Sequence, residues 1–176
     1  GPILDRALTQ LLADVHWGDL DYLLLDLPPG TGDIAMSLGQ KVPTAEVLVV
    51  TTPQQAASEV AERAGTMAAL MNQKIIGVVE NMSWLAFTAP DTGKEYRIDL
   101  FGSGGGQEAA DALSKRLGTE VPLLAQVPMD IELRKGGDEG DPIVTAHPES
   151  PAAQAIVELA KNLDSRPRGL SGMHLG

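Results

Sequence analysis

The sequence contains no cysteine. It therefore has no disulfide and no thiolate of its own with which to bind a soft metal ion. This lack is typical of proteins from a reducing cytosol. Aromatic residues make up only 3% of the chain, so the predicted core is built from Leu, Val, Ile, Ala and Met side chains. At 176 residues, the chain has the size of one domain with a core of its own.

Basic residues are also scarce. The chain has 13 Lys and Arg against 24 Asp and Glu, which gives a net charge of −11, and no basic run forms an electrostatic footprint. We therefore expect neither nucleic acid nor an anionic membrane as a partner. No apolar run approaches the ~20 residues of a membrane span, and the first residues lack the features of a signal peptide. The sequence predicts a soluble, cytoplasmic protein.

Strand and helix patterns alternate along the chain. Helices are predicted at residues 3–15, 33–41, 53–71, 107–117 and 151–163. Strands are predicted at residues 23–27, 46–51, 74–80 and 122–127, with a short edge strand at 96–101. Residues 131–134 could form one helical turn ended by Gly136 and Gly137. This order predicts an α/β fold with a mostly parallel sheet flanked by helices.

The most informative stretch surrounds Asp26, a lone carboxylate in the apolar run of residues 23–27. An isolated charge in a strand is costly unless it is paired or faces a cation, and ligands bind at the carboxyl ends of strands in open α/β sheets. Asp26 therefore fits a residue that binds hydrated magnesium, while the following Pro-Pro-Gly-Thr-Gly turn senses a terminal phosphate. The alternative is a solvated aspartate before a rigid turn.

Three other predicted strand ends fall at the same edge of the sheet, at residues 51–53, 81–83 and 128–130. Asn81 can offer a donor and an acceptor together, which matches the edge of a purine base. The alternative is an asparagine whose side chain only caps its own turn.

Four blocks, in this order, resemble the Mrp/ApbC-type ATPases, which are MinD-like deviant P-loop proteins regarded as iron-sulfur cluster carriers. The blocks are Asp-Leu-Pro-Pro-Gly-Thr-Gly-Asp at residues 26–33, Thr-Thr-Pro-Gln at 51–54, Gly-Val-Val-Glu-Asn-Met-Ser at 77–83, and Phe-Gly followed by the glycines of 104–106. The resemblance implies a P-loop NTPase fold, ATP and Mg²⁺ as cofactors, ATP hydrolysis and a homodimer.

The resemblance also implies roles for particular residues. Asp26 would act on magnesium through water, and residues 30–33 would form the switch loop that answers the γ-phosphate. The implied catalytic residues are Asp26, Gly30, Thr31 and Asp33. Asn81 would read the adenine, next to a loop that flanks the base. The implied nucleotide-binding residues are Asn81, Pro128, Met129 and Asp130. We further predict that Asp33 caps the helix that follows it.

The chain departs from this family in lacking a phosphate-binding loop. No Gly-x-x-x-x-Gly-Lys-Ser/Thr occurs, and the glycine cluster of residues 102–106 is followed by Gln107 and Glu108. We interpret that cluster as a flexible hinge. By the resemblance, the absent strand lies beside the Asp26 strand. We therefore expect residues 1–163 to be the C-terminal portion of a P-loop ATPase domain, incomplete at its N-terminus, and 164–176 a flexible tail.

A second departure concerns cluster ligands. Ala89 and Thr92 occupy the positions of the family's Cys-x-x-Cys. Alanine cannot bind a metal and threonine is a poor substitute for a soft thiolate, so we expect no iron-sulfur ligands in this segment. The leading hypothesis is an ATP-hydrolysing iron-sulfur cluster carrier that works with acceptor or scaffold proteins. The alternatives are a nucleotide-dependent scaffold without a cluster, or a self-sufficient binding module.

Overall fold

The computed structural model describes residues 2–27 and 32–166. Its helices are α1 (Pro2–Ala13), α2 (Gly32–Lys41), α3 (Gln55–Leu70), α4 (Gly105–Leu117), α5 (Ile131–Glu139), α6 (Ile143–Ala146) and α7 (Pro151–Asp164). Its strands are β1 (Val47–Thr51), β2 (Ile75–Thr88), β3 (Glu95–Ile98) and β4 (Leu123–Met129).

The strands form one sheet with β2 at its centre. β1 and β4 both run parallel to β2, as expected where helices connect the strands. β3 pairs antiparallel with the far end of β2, where Leu85 lies opposite Ile98 and Thr88 opposite Glu95. The predicted class, a mostly parallel sheet flanked by helices, is confirmed.

A hydrophobic core lies on each face of the sheet. On one face, Val78 of β2 belongs to a cluster with Leu113 of α4. On the other face, the next residue, Val79, belongs to a cluster with Ala152 and Ala153 of α7. Successive side chains of a strand point to opposite faces, so β2 contributes to both cores and its apolar run is nearly continuous. The sheet is thus the middle of three layers.

Two elements are considerably longer than predicted. The strand predicted at residues 74–80 continues to Thr88, because the residues after it pair with β3 in a hairpin. The single turn predicted at 131–134 is the nine-residue helix α5, which continues through Gly136 and Gly137. Glycine weakens a helix interior by about 1 kcal/mol, but this helix has an Asp130 cap at its start and ends at Gly140, with φ 76°, which suits a left-handed cap.

The strand predicted at residues 23–27 is not formed. These residues have no strand pairing and are exposed, with Leu24 88% accessible. Among the described residues, their amides donate to no backbone carbonyl. Their conformation shows that an apolar run becomes a strand only where a neighbouring edge accepts its hydrogen bonds.

Part of the predicted tail at 164–176 can be placed. Asp164 is the last residue of α7, and its Oδ1 accepts a 2.6 Å hydrogen bond from the Tyr22 hydroxyl. Arg166 lies 4.0 Å from the Glu46 carboxylate. Residues 167–176 lie outside the described residues, so the flexible tail stays a prediction.

Candidate functional site

The carboxyl ends of three parallel strands meet at one edge of the sheet. Thr51 at the end of β1 lies opposite Glu80 of β2, and Asn81 lies opposite Val127 of β4. The predicted loops at 51–53, 81–83 and 128–130 are thereby brought side by side. This edge is where open α/β sheets bind ligands, so it is the candidate site.

Asn81 begins a bulge inside β2. Between Asn81 and Leu85, β2 advances four residues while β4 advances only from Val127 to Met129. The bulge includes Met82, whose φ of 58° is rare for a residue with a side chain. Such backbone strain is concentrated at functional sites. The segment predicted as a loop is therefore an irregularity within a continuous strand.

The side chain of Asn81 is half-buried and partly committed to its own turn. Its Oδ1 accepts a 2.9 Å hydrogen bond from the Met82 amide. Its Nδ2 donates to no group among the described residues. Asn81 thus performs the turn-capping role that the sequence offered as the alternative, and it keeps an amide donor available for a ligand.

The three residues expected to flank the base follow directly beside this bulge. Pro128 and Met129 belong to β4, which ends two residues later than predicted. Met129 lies opposite Leu85 of β2. Asp130 is the N-cap of α5, and its Oδ1 accepts hydrogen bonds from the amides of Glu132 at 2.7 Å and Leu133 at 3.3 Å. Its carboxylate therefore stabilises the start of α5.

Glu80 is a buried residue that the sequence analysis did not single out. Its side chain is 1% exposed. Oε2 accepts a 2.7 Å hydrogen bond from the Gly106 amide, and Oε1 accepts a 2.8 Å bond from Nε2 of Gln126. A buried carboxylate needs such partners. The sequence signal was a charge at the end of an apolar strand, immediately before Asn81.

Two glycines of the cluster, Gly105 and Gly106, are required by close packing, while the interpretation of the cluster as a hinge stays a prediction. A Cβ on Gly105 would lie 2.4 Å from the Pro53 carbonyl oxygen, and one on Gly106 would lie 2.7 Å from the Glu80 Cβ. Gly104, with φ 89°, is the N-cap of α4. The glycines allow the first turn of α4 to approach the ends of β1 and β2 closely. In the sequence, the signal for this close approach was a run of glycines directly before a helical pattern.

The implied catalytic residues are only partly described. Asp26 lies exposed in the unpaired segment 23–27, and Gly30 and Thr31 lie outside the described residues. Helix α2 starts at Gly32, so Asp33 lies in the first turn and is not the cap. A carboxylate in the first turn still favours the helix dipole. The side chain of Asp33 is outside what the structure describes.

The helix α2 that follows this segment is linked to α1 by Asp5. The Asp5 carboxylate accepts a hydrogen bond from Ser37 and lies 3.3 Å from the Lys41 ammonium. The bond from Ser37 first, and then Lys41, lower the pKa of Asp5 below its ordinary value. These contacts hold α2 against α1.

Ala89 and Thr92 lie at the tip of the β2–β3 hairpin. The Ala89 amide donates a 2.9 Å hydrogen bond to the Lys94 carbonyl oxygen, and the Ala89 carbonyl oxygen accepts a 2.8 Å hydrogen bond from the Gly93 amide. The Thr92 hydroxyl accepts a 3.4 Å contact from the Lys94 amide. A methyl group and a hydroxyl so placed do not fit soft iron ions. Among residues 2–27 and 32–166, no group of three or more His, Cys, Asp or Glu could hold a metal ion.

Comparisons with known proteins agree with this architecture. The chain is 56% identical over its whole length to a protein of Mycobacterium leprae named iron-sulfur cluster carrier protein. It is 48% identical over 93% of its length to the protein of that name in Deinococcus radiodurans. The chain spans 45% and 43% of these relatives, respectively, which is less than half of each.

Solved structures show the same fold. A nucleotide-binding protein from Archaeoglobus fulgidus, in complex with ADP, matches with a TM-score of 0.60 and 35% identity over 79% of this chain and 53% of that one. The septum site-determining protein MinD of Pyrococcus horikoshii, complexed with Mg-ADP, matches with a TM-score of 0.61 and 26% identity over 97% of this chain and 56% of that one. The fold is therefore that of MinD-like P-loop NTPases.

No helix in the described part of the chain has the length and apolar character needed to cross a membrane.

The family model for ParA, described as a NUBPL iron-transfer P-loop NTPase, matches residues 1–164. That match covers the sheet, its flanking helices and the candidate edge. The chain therefore belongs to the ParA family of NUBPL iron-transfer P-loop NTPases.

Proposed function

We propose that this chain forms the magnesium, switch and base-reading portion of an ATP-hydrolysing iron-sulfur cluster carrier. The observation that carries the proposal is the convergence of Thr51, Asn81 and residues 128–130 at one sheet edge. Relatives named as cluster carriers and a neighbour bound to Mg-ADP support it. The protein acts in the cytoplasm as a homodimer, receives clusters as cargo and passes them to acceptor or scaffold proteins.

Each implied residue has a definite task in this proposal. Asp26 offers the hard oxygen ligand that magnesium prefers and acts through water, while Gly30, Thr31 and Asp33 sense the γ-phosphate. Asn81 presents its unused Nδ2 to the base. Pro128, Met129 and Asp130 flank the base. Magnesium held near Asp26 would neutralise the negative charge that develops during phosphoryl transfer from ATP.

The proposal also explains why residues 23–27 lack a strand partner. Among the described residues, β1 pairs only with β2, and Val50 on β1 is 62% exposed. We place residues 1–163 in the C-terminal portion of a longer ATPase domain, in which a phosphate-loop strand lies beside residues 23–27. Those residues then form a buried strand, and Asp26 reaches the carboxyl edge.

The test compares two aspartates in the full-length protein. Asp26→Asn should lower ATP hydrolysis by about a hundredfold or more, because it removes the charge proposed to hold the hydrated magnesium beside the transferring phosphate. Asp14→Asn is the matched control, since Asp14 is exposed beyond α1, and its hydrolysis should stay unchanged. Wild-type turnover in Asp26→Asn excludes the assignment.

The hairpin tip favours a second candidate, a nucleotide-dependent scaffold that binds no cluster. Its support is that Ala89 and Thr92 stand where soft ligands are needed. Anaerobic reconstitution with iron and sulfide distinguishes the two functions, because a bound cluster absorbs visible light. The double substitution Ala89→Cys and Thr92→Cys serves as the positive control, since two such tips supply four thiolates. Absorption by the unaltered protein excludes the scaffold.

A further inference from the structure

Glu80 and Ser83 form a buried polar pair directly behind the base-reading bulge. Glu80 is 1% exposed and Ser83 is 2% exposed. The Ser83 hydroxyl donates a 3.0 Å hydrogen bond to the Glu80 carbonyl oxygen. This contact closes the bulge across Asn81 and Met82. Buried polar side chains are unusual in an apolar strand, so their position beside Asn81 calls for a functional explanation.

The Glu80 carboxylate fixes three separate elements together. It accepts hydrogen bonds from Gly106 in the first turn of α4 and from Gln126 of β4. Because Glu80 belongs to β2, these contacts hold the end of β2 against its neighbouring strand and helix. These two hydrogen bonds satisfy both carboxyl oxygens of a side chain that is shielded from water.

Asn81 is held by its own turn on the other face of the strand. Successive side chains alternate between the two faces, so Asn81 points away from the side on which Glu80 meets α4. The Met82 amide donates a hydrogen bond to the Asn81 Oδ1, and Met82 has a left-handed φ of 58°. These constraints leave the Asn81 Nδ2 as the group free to meet a ligand.

We propose that Glu80, assisted by Ser83, is a positioning residue for nucleotide recognition, which holds the bulge of β2 so that Asn81 presents its Nδ2 to the base. This inference rests on the proposed function and adds a residue that does not itself touch the nucleotide. Its effect should be specific to the base, because the hydrogen-bond partners of its side chain are Gly106 and Gln126 and not the residues proposed to sense the phosphates.

The experiment measures the binding of Mg-ATP and of Mg-tripolyphosphate, which lacks a base, by calorimetry in the full-length protein. Glu80→Ala should weaken Mg-ATP binding by about tenfold, a loss like that from outer-shell partners of metal ligands. Its tripolyphosphate affinity should stay within about twofold of wild type. Glu80→Gln should restore ATP binding, because its amide can accept from Gly106 and donate to a turned Gln126 amide.

The matched control is Gln73→Ala, two residues before β2 begins at Ile75. Gln73 is also a buried polar residue, 7% exposed, so its truncation tests for a general loss of stability. It should leave the ratio of the two affinities unchanged. Combining Glu80→Ala with Asn81→Ala should add little to Asn81→Ala alone, because both act through one group.

Several results would overturn the role of Glu80. These are unchanged ATP binding in Glu80→Ala, an equal loss for both ligands, or full additivity with Asn81→Ala. If Glu80→Ala does not fold, Gln126→Ala decides, because it removes one of the two hydrogen bonds to the Glu80 carboxylate: a loss of about threefold for ATP alone supports the proposal, and no loss overturns it. If the unaltered full-length protein binds neither ligand, the proposed nucleotide function itself fails.

Discussion

Residues 23–27 and β1 are both short apolar runs, yet only β1 forms a strand. β1 pairs with β2 along its length, and its Val49 belongs to a buried core cluster. Residues 23–27 have no strand partner, and Leu24 is 88% exposed. An apolar pattern alone therefore does not separate them. A strand requires an available edge as well as an apolar pattern, because its backbone groups need partners.

Hydrogen exchange should show the largest difference between the two segments. In the 176-residue chain, we expect the amides of 23–27 to exchange at least about a thousandfold faster than those of residues 78–80, since protection follows local opening free energy. In the full-length protein, both segments should be protected. Exchange followed by mass spectrometry or NMR measures this. Strong protection of 23–27 in the short chain would contradict the comparison.

A leucine truncation in each region gives the next largest contrast. Leu113→Ala should lower the free energy of unfolding of the 176-residue chain by about 2–5 kcal/mol, because Leu113 is 0% exposed and its loss leaves a cavity. The same change at Leu24 should cost less than about 0.5 kcal/mol. Denaturant unfolding measures both. Equal losses would show that residues 23–27 are buried in solution.

Two glycine substitutions test how closely α4 packs against the sheet edge. Gly105→Ala should destabilise the chain by about 1–3 kcal/mol, because its Cβ meets the Pro53 carbonyl oxygen and overpacking has costs of this size. Gly137→Ala is the matched helical control, since nothing lies within 4 Å of its Cβ. It should stabilise α5 by up to about 1 kcal/mol. Thermal unfolding measures both, and a neutral Gly105→Ala would contradict the close packing of α4 against Pro53.

The smallest expected effect concerns the contact between α1 and α2. The pKa of Asp5 is lowered by Ser37 and Lys41, so its carboxylate stabilises the fold above the ordinary pKa. That contribution is lost as the pH falls through the lowered pKa. Asp5→Asn should therefore reduce stability slightly at neutral pH and not at all in strong acid. Unfolding curves across acidic pH measure the difference, with Asp14→Asn as control.

The candidate site was predicted unevenly from the sequence. The convergence of residues 51–53, 81–83 and 128–130 could be predicted, because parallel strands place their carboxyl ends at one edge. The part played by Glu80 could not, since its partners Gly106 and Gln126 are 26 and 46 residues away. The same limit applies to Gly105 and Gly106 of α4. These positions require glycine because Pro53 and Glu80, which are distant in sequence, lie against them.

The alternation of strands and helices, the parallel sheet and the family could be predicted from the sequence alone, because they depend on local periodicity and on short motifs. Three features could be recognised only in the folded chain: the bulge through which β2 continues, the close packing of Gly105 and Gly106, and the lack of a strand partner for residues 23–27. Each of these depends on whether a distant segment is present to donate, accept or exclude. Such long-range contacts leave no periodic trace in the local sequence.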